Sequence, residues 1–144
     1  MTSTRSSEGA LAELTCEACA SPRHRLARLC KRCKKLVDRV DIRRKADREA
    51  RVRALKEAWR DSAFHCHYTG IGLNENDRRD PRYLTFDHRT PRQEDDVVVA
   101  AACINDMKSD LTENEFWAVV RELAAKDAGG TFDPRVLDLS HWKR

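Results

Sequence analysis

The sequence has no long hydrophobic run. Its longest uninterrupted apolar stretch, residues 97–104, has eight residues, whereas a membrane-spanning helix needs about twenty. Residues 1–13 are polar and lack the apolar centre of a secretory signal peptide. Internal repeats and low-complexity tracts are absent as well. These absences argue against a membrane protein, and we expect a cytoplasmic protein with a mobile N-terminus.

The composition allows only a small hydrophobic core. Of the 144 residues, 40% are hydrophobic and 36% are charged, which suits one modest domain with a small accessory module. The net charge of +4 is unevenly distributed. Residues 21–60 contain 16 Lys and Arg against 5 Asp and Glu, whereas residues 61–144 contain 11 against 16. A basic segment joined to an acidic one that can bind metal suits a nuclease better than a uniformly basic structural protein.

The N-terminal third contains two C-x-x-C pairs. The four residues are Cys16, Cys19, Cys30 and Cys33. In a cytoplasmic protein this spacing favours zinc over disulfides, and four thiolates bind zinc tetrahedrally. We therefore expect a structural zinc knuckle over residues 14–35. A redox dithiol and unrelated thiols are the alternatives, and His24, between the pairs, could replace one cysteine.

Residues 36–62 contain neither proline nor glycine and predict a long basic helix. Apolar residues recur at helical spacing from Leu36 to Trp59, with a potential break near Asp41. Cations that we expect to contact nucleic acid are Arg43, Arg44, Arg48 and Arg51. Such a helix can bind a phosphate backbone by releasing counterions. The alternative is a solvated face whose cations pair with acids of the same helix.

A candidate site for chemistry lies further along the chain. The β-rich residues 83–86 predict a strand that ends in Asp87 and His88, and a polar loop, an apolar segment and a helix with Asn105 follow. A neutral imidazole, with an ordinary pKa of about 6.5, can deprotonate water near pH 7. The Asp87 carboxylate and the Asn105 carbonyl oxygen are ligands suited to magnesium or manganese. The alternatives are an ordinary surface pair at a strand end and an ordinary helical asparagine.

The same segment carries a set of spaced motifs. They are Asp87-His88-x-x-Pro91, Asn105-x-x-Lys108, and Asp110-Leu111-Thr112 with Glu115-Phe116. These motifs resemble the HNH endonuclease family, whose fold is the ββα-metal hairpin and helix. The resemblance implies that His88 is the general base and that Asp87 and Asn105 hold the catalytic ion. It also implies that Lys108 lies beside the scissile phosphate, and we expect Arg89 to contact nucleic acid.

Two departures from the family pattern stand out. The middle asparagine of the family falls on Asp96, which as an orienting residue could accept hydrogen bonds but not donate them when ionised. The family's cysteine pairs around the core are reduced to Cys66 and Cys103, so we expect no second zinc site. Cys66 lies between His65 and His67, and we expect these three residues to pack beneath the hairpin rather than to share a metal ion.

These features predict an α+β protein with a small ββα-metal (HNH) core, an N-terminal zinc knuckle, a long basic helix and a C-terminal helix. The expected segments are a flexible N-terminus (1–13), the knuckle (14–35), the basic helix (36–62), the nuclease core with its following helix (63–128) and a tail (129–144).

The predicted function is metal-dependent hydrolysis of DNA phosphodiester bonds by strand nicking. Expected cofactors are Mg²⁺ or Mn²⁺ and structural Zn²⁺. The expected partner is double-stranded DNA, with a dimer or a larger nucleoprotein complex as the forms in which the protein could act. The alternatives are a non-catalytic zinc-dependent nucleic-acid-binding module and an accessory subunit of a larger complex, such as phage DNA packaging machinery.

Overall fold

A computed structural model describes residues 14–39 and 45–142. The helices are α1 (Lys31–Val37), α2 (Lys45–Ala58), α3 (Ala102–Lys108) and α4 (Glu113–Asp127), and a 3₁₀ turn covers Pro134–Leu137. The strands are β1 (Trp59–Arg60), β2 (Ala63–Phe64), β3 (Leu84–His88) and β4 (Val97–Ala101), which form two antiparallel hairpins, β1–β2 and β3–β4. The expectation of a small mixed α+β protein is confirmed. Within the described ranges, no helix combines the length and the apolar character needed to cross a bilayer.

The basic helix is shorter than the sequence predicts. We expected a helix through residue 62, but α2 ends at Ala58 and the chain turns directly into the β1–β2 hairpin. The turn residues Asp61 and Ser62 have φ values of 48° and 62°, which an α-helix cannot accommodate. The rings of Trp59 and Phe64 pack edge to face across this hairpin at 4.8 Å, and Phe64 is fully buried. The expected break in the helix lies in residues 40–44, outside the described residues.

The β3–β4 hairpin carries the candidate site at one of its ends. Its register pairs Asp87 with Val98 and His88 with Val97. Helix α3 begins at Ala102, immediately after β4. The chain therefore follows the expected order of strand, polar loop, strand and helix.

Strand β4 is buried along its whole length because it separates two hydrophobic clusters. Val97 and Val99 belong to a cluster with α1, α2 and the cysteine-rich segment. Val98 and Ala100 belong to a second cluster beneath α4. Successive strand residues point to opposite faces, so a strand packed on both faces needs apolar residues at every position. This explains the continuous apolar run that the sequence shows here.

Helix α4 begins with a capping box, which the sequence Thr112-Glu113-Asn114-Glu115 favours. The Thr112 side chain accepts a hydrogen bond from the Glu115 backbone N–H at 3.2 Å, and the Glu115 carboxylate accepts one from the Thr112 N–H at 2.8 Å. Phe116 is the buried anchor of this helix. Gly129, with φ of 91°, follows its end in the left-handed conformation that glycine adopts readily. The prediction of a helix over this segment is confirmed.

Candidate metal centres

The four cysteines of the two C-x-x-C pairs come together in one buried cluster. Their sulfur atoms all lie within 4.8 Å of one another, and the Sγ atoms of Cys19 and Cys30 are 3.7 Å apart. Four sulfurs placed tetrahedrally at about 2.3 Å from a zinc ion are separated by about 3.8 Å. The cluster is therefore compatible with structural zinc. His24 is exposed and its Nδ1 accepts a hydrogen bond from the Leu26 N–H, so it takes no part in the cluster.

Local backbone geometry positions the sulfurs. Cys30 caps the N-terminus of α1, and the backbone N–H of Cys33, inside that helix, points at the Cys30 sulfur at 3.5 Å. In the first pair, the Ala18 N–H points at the Cys16 sulfur at 3.4 Å. Such N–H···S contacts stabilise negative charge on sulfur and fix the orientation of a metal ligand.

The electrostatics of the cluster also favour a cation. Burial raises the pKa of the Cys30 thiol and that of the Cys33 thiol. Burial acts in the same direction on Cys19, but hydrogen bonds with Ser21 outweigh it and lower the pKa of Cys19 to about 7. Four thiolates this close together repel one another, so full deprotonation requires a bound cation, whose binding releases the protons.

A second arrangement lies where β3 ends. The Asp87 side chain is 6% exposed, and its Oδ2 accepts a hydrogen bond from the Tyr68 hydroxyl at 2.5 Å. The Lys108 ammonium, fully buried, lies 3.3 Å from the same oxygen and donates to the His88 carbonyl at 2.8 Å. Burial and the contact with Asp87 raise the pKa of Tyr68, so this hydroxyl keeps its proton and remains a donor. Asp87 is thus held through one oxygen by two buried donors.

Asn105 contacts the middle of β3 from helix α3. Its Nδ2 donates to the Thr85 hydroxyl at 3.1 Å and to the Phe86 carbonyl at 3.4 Å. Because strand residues alternate, Thr85 and Asp87 project from the same face of β3. Within residues 14–39 and 45–142, no hydrogen bond reaches Asn105 Oδ1, Asp87 Oδ1 or the His88 imidazole. The Asp87 carboxylate oxygen and the Asn105 amide oxygen are hard donors of the class that Mg²⁺ and Mn²⁺ prefer.

Other predicted site residues have internal partners. Lys108, expected beside the scissile phosphate, has no exposed surface, so a phosphate contact would require it to leave the core. Arg89 forms an ion pair with Asp96 at 2.6 Å, and the Arg89 N–H donates to the Asp96 carbonyl at 3.0 Å. Asp96 therefore closes the loop between β3 and β4 through Arg89.

Two of the four helix arginines predicted to bind nucleic acid also have partners within the protein. Arg48 is ion-paired with Asp38. Arg51 donates to the Val37 carbonyl at 3.1 Å, and its guanidinium lies 4.8 Å from the centre of the Phe86 ring. Both side chains tie α2 to neighbouring elements. Arg43 and Arg44 lie outside the described residues.

Tyr68 is a partner of Asp87 that the sequence did not predict. It lies 19 residues before Asp87, and no spacing rule links the two positions.

Cys66 and His67 pack within the protein. Cys66 is 2% exposed and its sulfur faces the Ala101 N–H at 3.4 Å, while His67 contacts Glu113 at 2.8 Å. In the described part of the chain, the four-cysteine cluster is the only group of three or more His, Cys, Asp or Glu residues placed to hold an ion.

No protein-family model matches the chain, and no curated protein or solved structure is significantly similar to it. The resemblance to HNH endonucleases therefore depends on the motif residues themselves.

Proposed function

We propose that the protein is a metal-dependent endonuclease of the HNH type, which hydrolyses phosphodiester bonds of double-stranded DNA one strand at a time. One observation carries this proposal. At the end of β3, Asp87 and Asn105 each retain an oxygen that no described residue occupies, and the imidazole of His88 follows directly along the chain.

The donor set determines how a divalent ion would be held. Asp87 and Asn105 would ligate Mg²⁺ or Mn²⁺, which when bound neutralises negative charge developing on the phosphate. Tyr68 and Lys108 both contact Oδ2 of Asp87, which orients the carboxylate and leaves Oδ1 available. The amide nitrogen of Asn105 donates a hydrogen bond to Thr85, so the amide oxygen points away from Thr85.

His88 supplies the general base. Its neutral imidazole accepts a proton from a water molecule while the water oxygen forms a bond to phosphorus. The bond between phosphorus and one sugar oxygen breaks, and that oxygen takes up a proton from solvent. The Lys108 ammonium holds the His88 carbonyl at 2.8 Å and so fixes the backbone that carries the imidazole. We therefore assign Lys108 to positioning.

The four-cysteine cluster would hold one structural zinc ion per chain. Zinc there would connect the loop around Cys16 to helix α1 through Cys30 and Cys33. Its contribution is to folding, because classical structural zinc sites supply much of the stability of small modules.

A nicking assay on supercoiled plasmid tests the proposal. The parent protein should convert plasmid to the open-circular form with added Mg²⁺ or Mn²⁺, and should not do so when the divalent ion is omitted. Omission is preferable to strong chelation, which would also remove zinc. His88→Ala should lose activity by at least about a hundredfold, the usual scale for a general base. His65→Ala serves as the matched control, since the proposed chemistry gives that histidine no role.

Zinc content and circular dichroism of each variant should equal those of the parent, so that a fall in activity reports chemistry. A His88→Ala variant that nicks as fast as the parent, or a parent that leaves plasmid intact with either metal, would refute the proposed hydrolysis.

A second candidate is nucleic-acid binding without cleavage. Asp96 favours it, because the carboxylate is engaged by Arg89 and cannot donate the hydrogen bond expected from an asparagine. Salt-sensitive DNA binding by a parent that never nicks would select this candidate. Nicking that appears only after another protein is added would instead indicate an accessory subunit of a larger complex.

A further inference from the structure

A groove of about 830 Å³ runs between helix α1, the loop around residues 75–78 and strand β3. Six cationic and two acidic side chains line it. Its floor includes Thr85 and Phe86, the two residues that precede Asp87. A strongly cationic groove therefore borders β3 as far as Phe86, the residue before Asp87.

The two acids in the groove already have cationic partners. Asp38 pairs with Lys34 at 2.9 Å, four residues earlier in the chain. Glu75 lies 3.6 Å from Arg32 and its side chain is only 16% exposed. The groove therefore keeps an excess of positive charge after its internal ion pairs are counted.

Three of the lining cations are available to an external anion. Lys31 and Lys35 are exposed on α1, and Arg78 is exposed on the opposite wall. None of them forms an ion pair with a residue in the described ranges. Lysine and arginine presented from two sides of a groove are the usual ligands of a phosphate backbone, which they bind with release of counterions.

The walls of the groove are held in place from inside the protein. Helix α1 has seven residues, too few to be stable alone, but Cys30 caps it and Cys33 anchors it in the four-cysteine cluster. On the floor, Arg39 donates to the Leu84 carbonyl at 2.5 Å and to the Glu75 carbonyl at 3.2 Å, and its guanidinium stacks 4.3 Å from the Tyr83 ring. A rigid surface loses less entropy when a partner binds.

We propose that this groove binds the phosphodiester backbone of duplex DNA, with Lys31, Lys35 and Arg78 as the contacting cations. The identity of the partner rests on the proposed function, whereas the preference for a polyanion follows from the charge of the groove alone. Arg51 also lines the groove but donates to the Val37 carbonyl, and Arg48 is ion-paired with Asp38, so neither is counted among the three contacting cations.

Equilibrium binding of a fluorescein-labelled DNA duplex of about 20 base pairs, followed by anisotropy without divalent metal, tests the groove. The triple variant Lys31→Gln/Lys35→Gln/Arg78→Gln should bind at least about tenfold more weakly at about 0.1 M salt. The slope of log K against log salt should become shallower by about 0.9 for each phosphate that the variant no longer neutralises. A matched triple variant removes three exposed cations outside the groove, through Lys56→Gln, Arg121→Gln and Lys126→Gln.

The possible outcomes distinguish a failure of the groove assignment from a failure of the proposed hydrolysis. An unchanged slope in the groove variant, or equal weakening in the matched variant, would overturn the groove assignment while leaving the nicking assay unaffected. Groove-dependent binding by a parent that never nicks would keep the groove and reject the hydrolysis. Groove-dependent binding that is tighter for an RNA duplex of the same sequence would overturn the assignment to DNA.

Discussion

The buried Lys108 offers the sharpest test of how the end of β3 is built. Its ammonium has no solvent exposure and has two partners, the Asp87 carboxylate at 3.3 Å and the His88 carbonyl at 2.8 Å. Lys108→Met keeps most of the aliphatic stem and removes the charge. The variant leaves Asp87 as a buried carboxylate with only the Tyr68 hydroxyl as donor.

The magnitude follows from these contacts. Removing one partner of a buried ion pair costs about 3–5 kcal/mol, because the other charge stays buried without compensation. The remaining hydrogen bond from Tyr68 favours the lower end, so we expect stability to fall by about 3 kcal/mol. For a protein whose free energy of unfolding is about 5–15 kcal/mol, this is a large fraction.

Urea denaturation followed by tryptophan fluorescence measures this change, with free zinc held constant because a bound ion adds its own stabilisation. With a denaturant slope of about 2 kcal/mol per molar, the midpoint should fall by about 1.5 M. Lys56→Met, which removes an exposed lysine of α2, should change stability by less than about 0.5 kcal/mol.

A double-mutant cycle isolates the ion pair itself. Asp87→Asn retains an oxygen that accepts from Tyr68 but removes the negative charge. The double variant Asp87→Asn/Lys108→Met buries no charge, so its destabilisation should be smaller than the sum of the single effects by about 2 kcal/mol. Effects that add to within about 0.5 kcal/mol, or a Lys108→Met variant as stable as the parent, would refute the described geometry.

Three further changes give equally direct outcomes. Cys33→Ser should reduce zinc from one ion per chain to much less by elemental analysis, whereas Cys103→Ser, at an exposed cysteine outside the cluster, should keep it. Gly70→Ala should lower the free energy of unfolding by about 1–2 kcal/mol, since Gly70 has φ of 73° and a side chain there is strained, whereas Gly72→Ala should change it by less than about 0.5 kcal/mol. Burial acts to raise the pKa of Glu115, but hydrogen bonds with Thr112 at the N-terminus of α4 and with His141 outweigh it and lower this pKa overall. The stability contributed by this carboxylate is therefore present above its unfolded pKa of about 4.3 and disappears as the pH falls through the folded value, so Glu115→Gln should flatten the acid limb of a stability–pH curve.

Local patterns in the sequence were sufficient to predict several elements. The capping box at Thr112 predicts the start of α4, because the residues that satisfy the first N–H groups of a helix are neighbours in the chain. The apolar run at 97–101 predicts a short strand, and the structure shows that this strand is buried along its whole length. The four cysteines are also informative, since few arrangements other than a metal site use two C-x-x-C pairs.

The end of α2 shows where local patterns fail. Trp59 continues the helical spacing of the apolar residues in α2. It nevertheless lies outside the helix and packs against Phe64 across a hairpin. The turn uses Asp61 and Ser62 in left-handed conformations rather than the Asn-Gly or Asp-Gly pair that signals a hairpin most strongly. In this hairpin the Phe64 side chain is completely buried. That burial depends on elements distant in sequence, which local patterns do not reveal.

The role of Lys108 was beyond prediction for a different reason. Its position three residues after Asn105 places both side chains on neighbouring parts of α3. Whether each one points to solvent or to the core depends on how α3 is rotated against β3, and packing alone determines that rotation. Tyr68, the partner that makes a buried lysine compatible with a buried aspartate, is contributed by a segment 40 residues before Lys108.

The four-cysteine segment and the β3–β4 hairpin share one hydrophobic core. Cys33 and Leu36 belong to the same buried cluster as Leu84 and Val99, which lie on β3 and β4. A structural ion in the cysteine cluster would therefore stabilise more than the knuckle, because the free energy of metal binding is added to that of every element which must be folded for the ligands to meet. The ion pair between Asp87 and Lys108 lies at the other end of β3 from Leu84. Strand β3 is thus fixed from two directions, by the cysteine-rich segment beneath one face and by buried donors at its end, and a rigid strand end is what a site built on so few side chains requires.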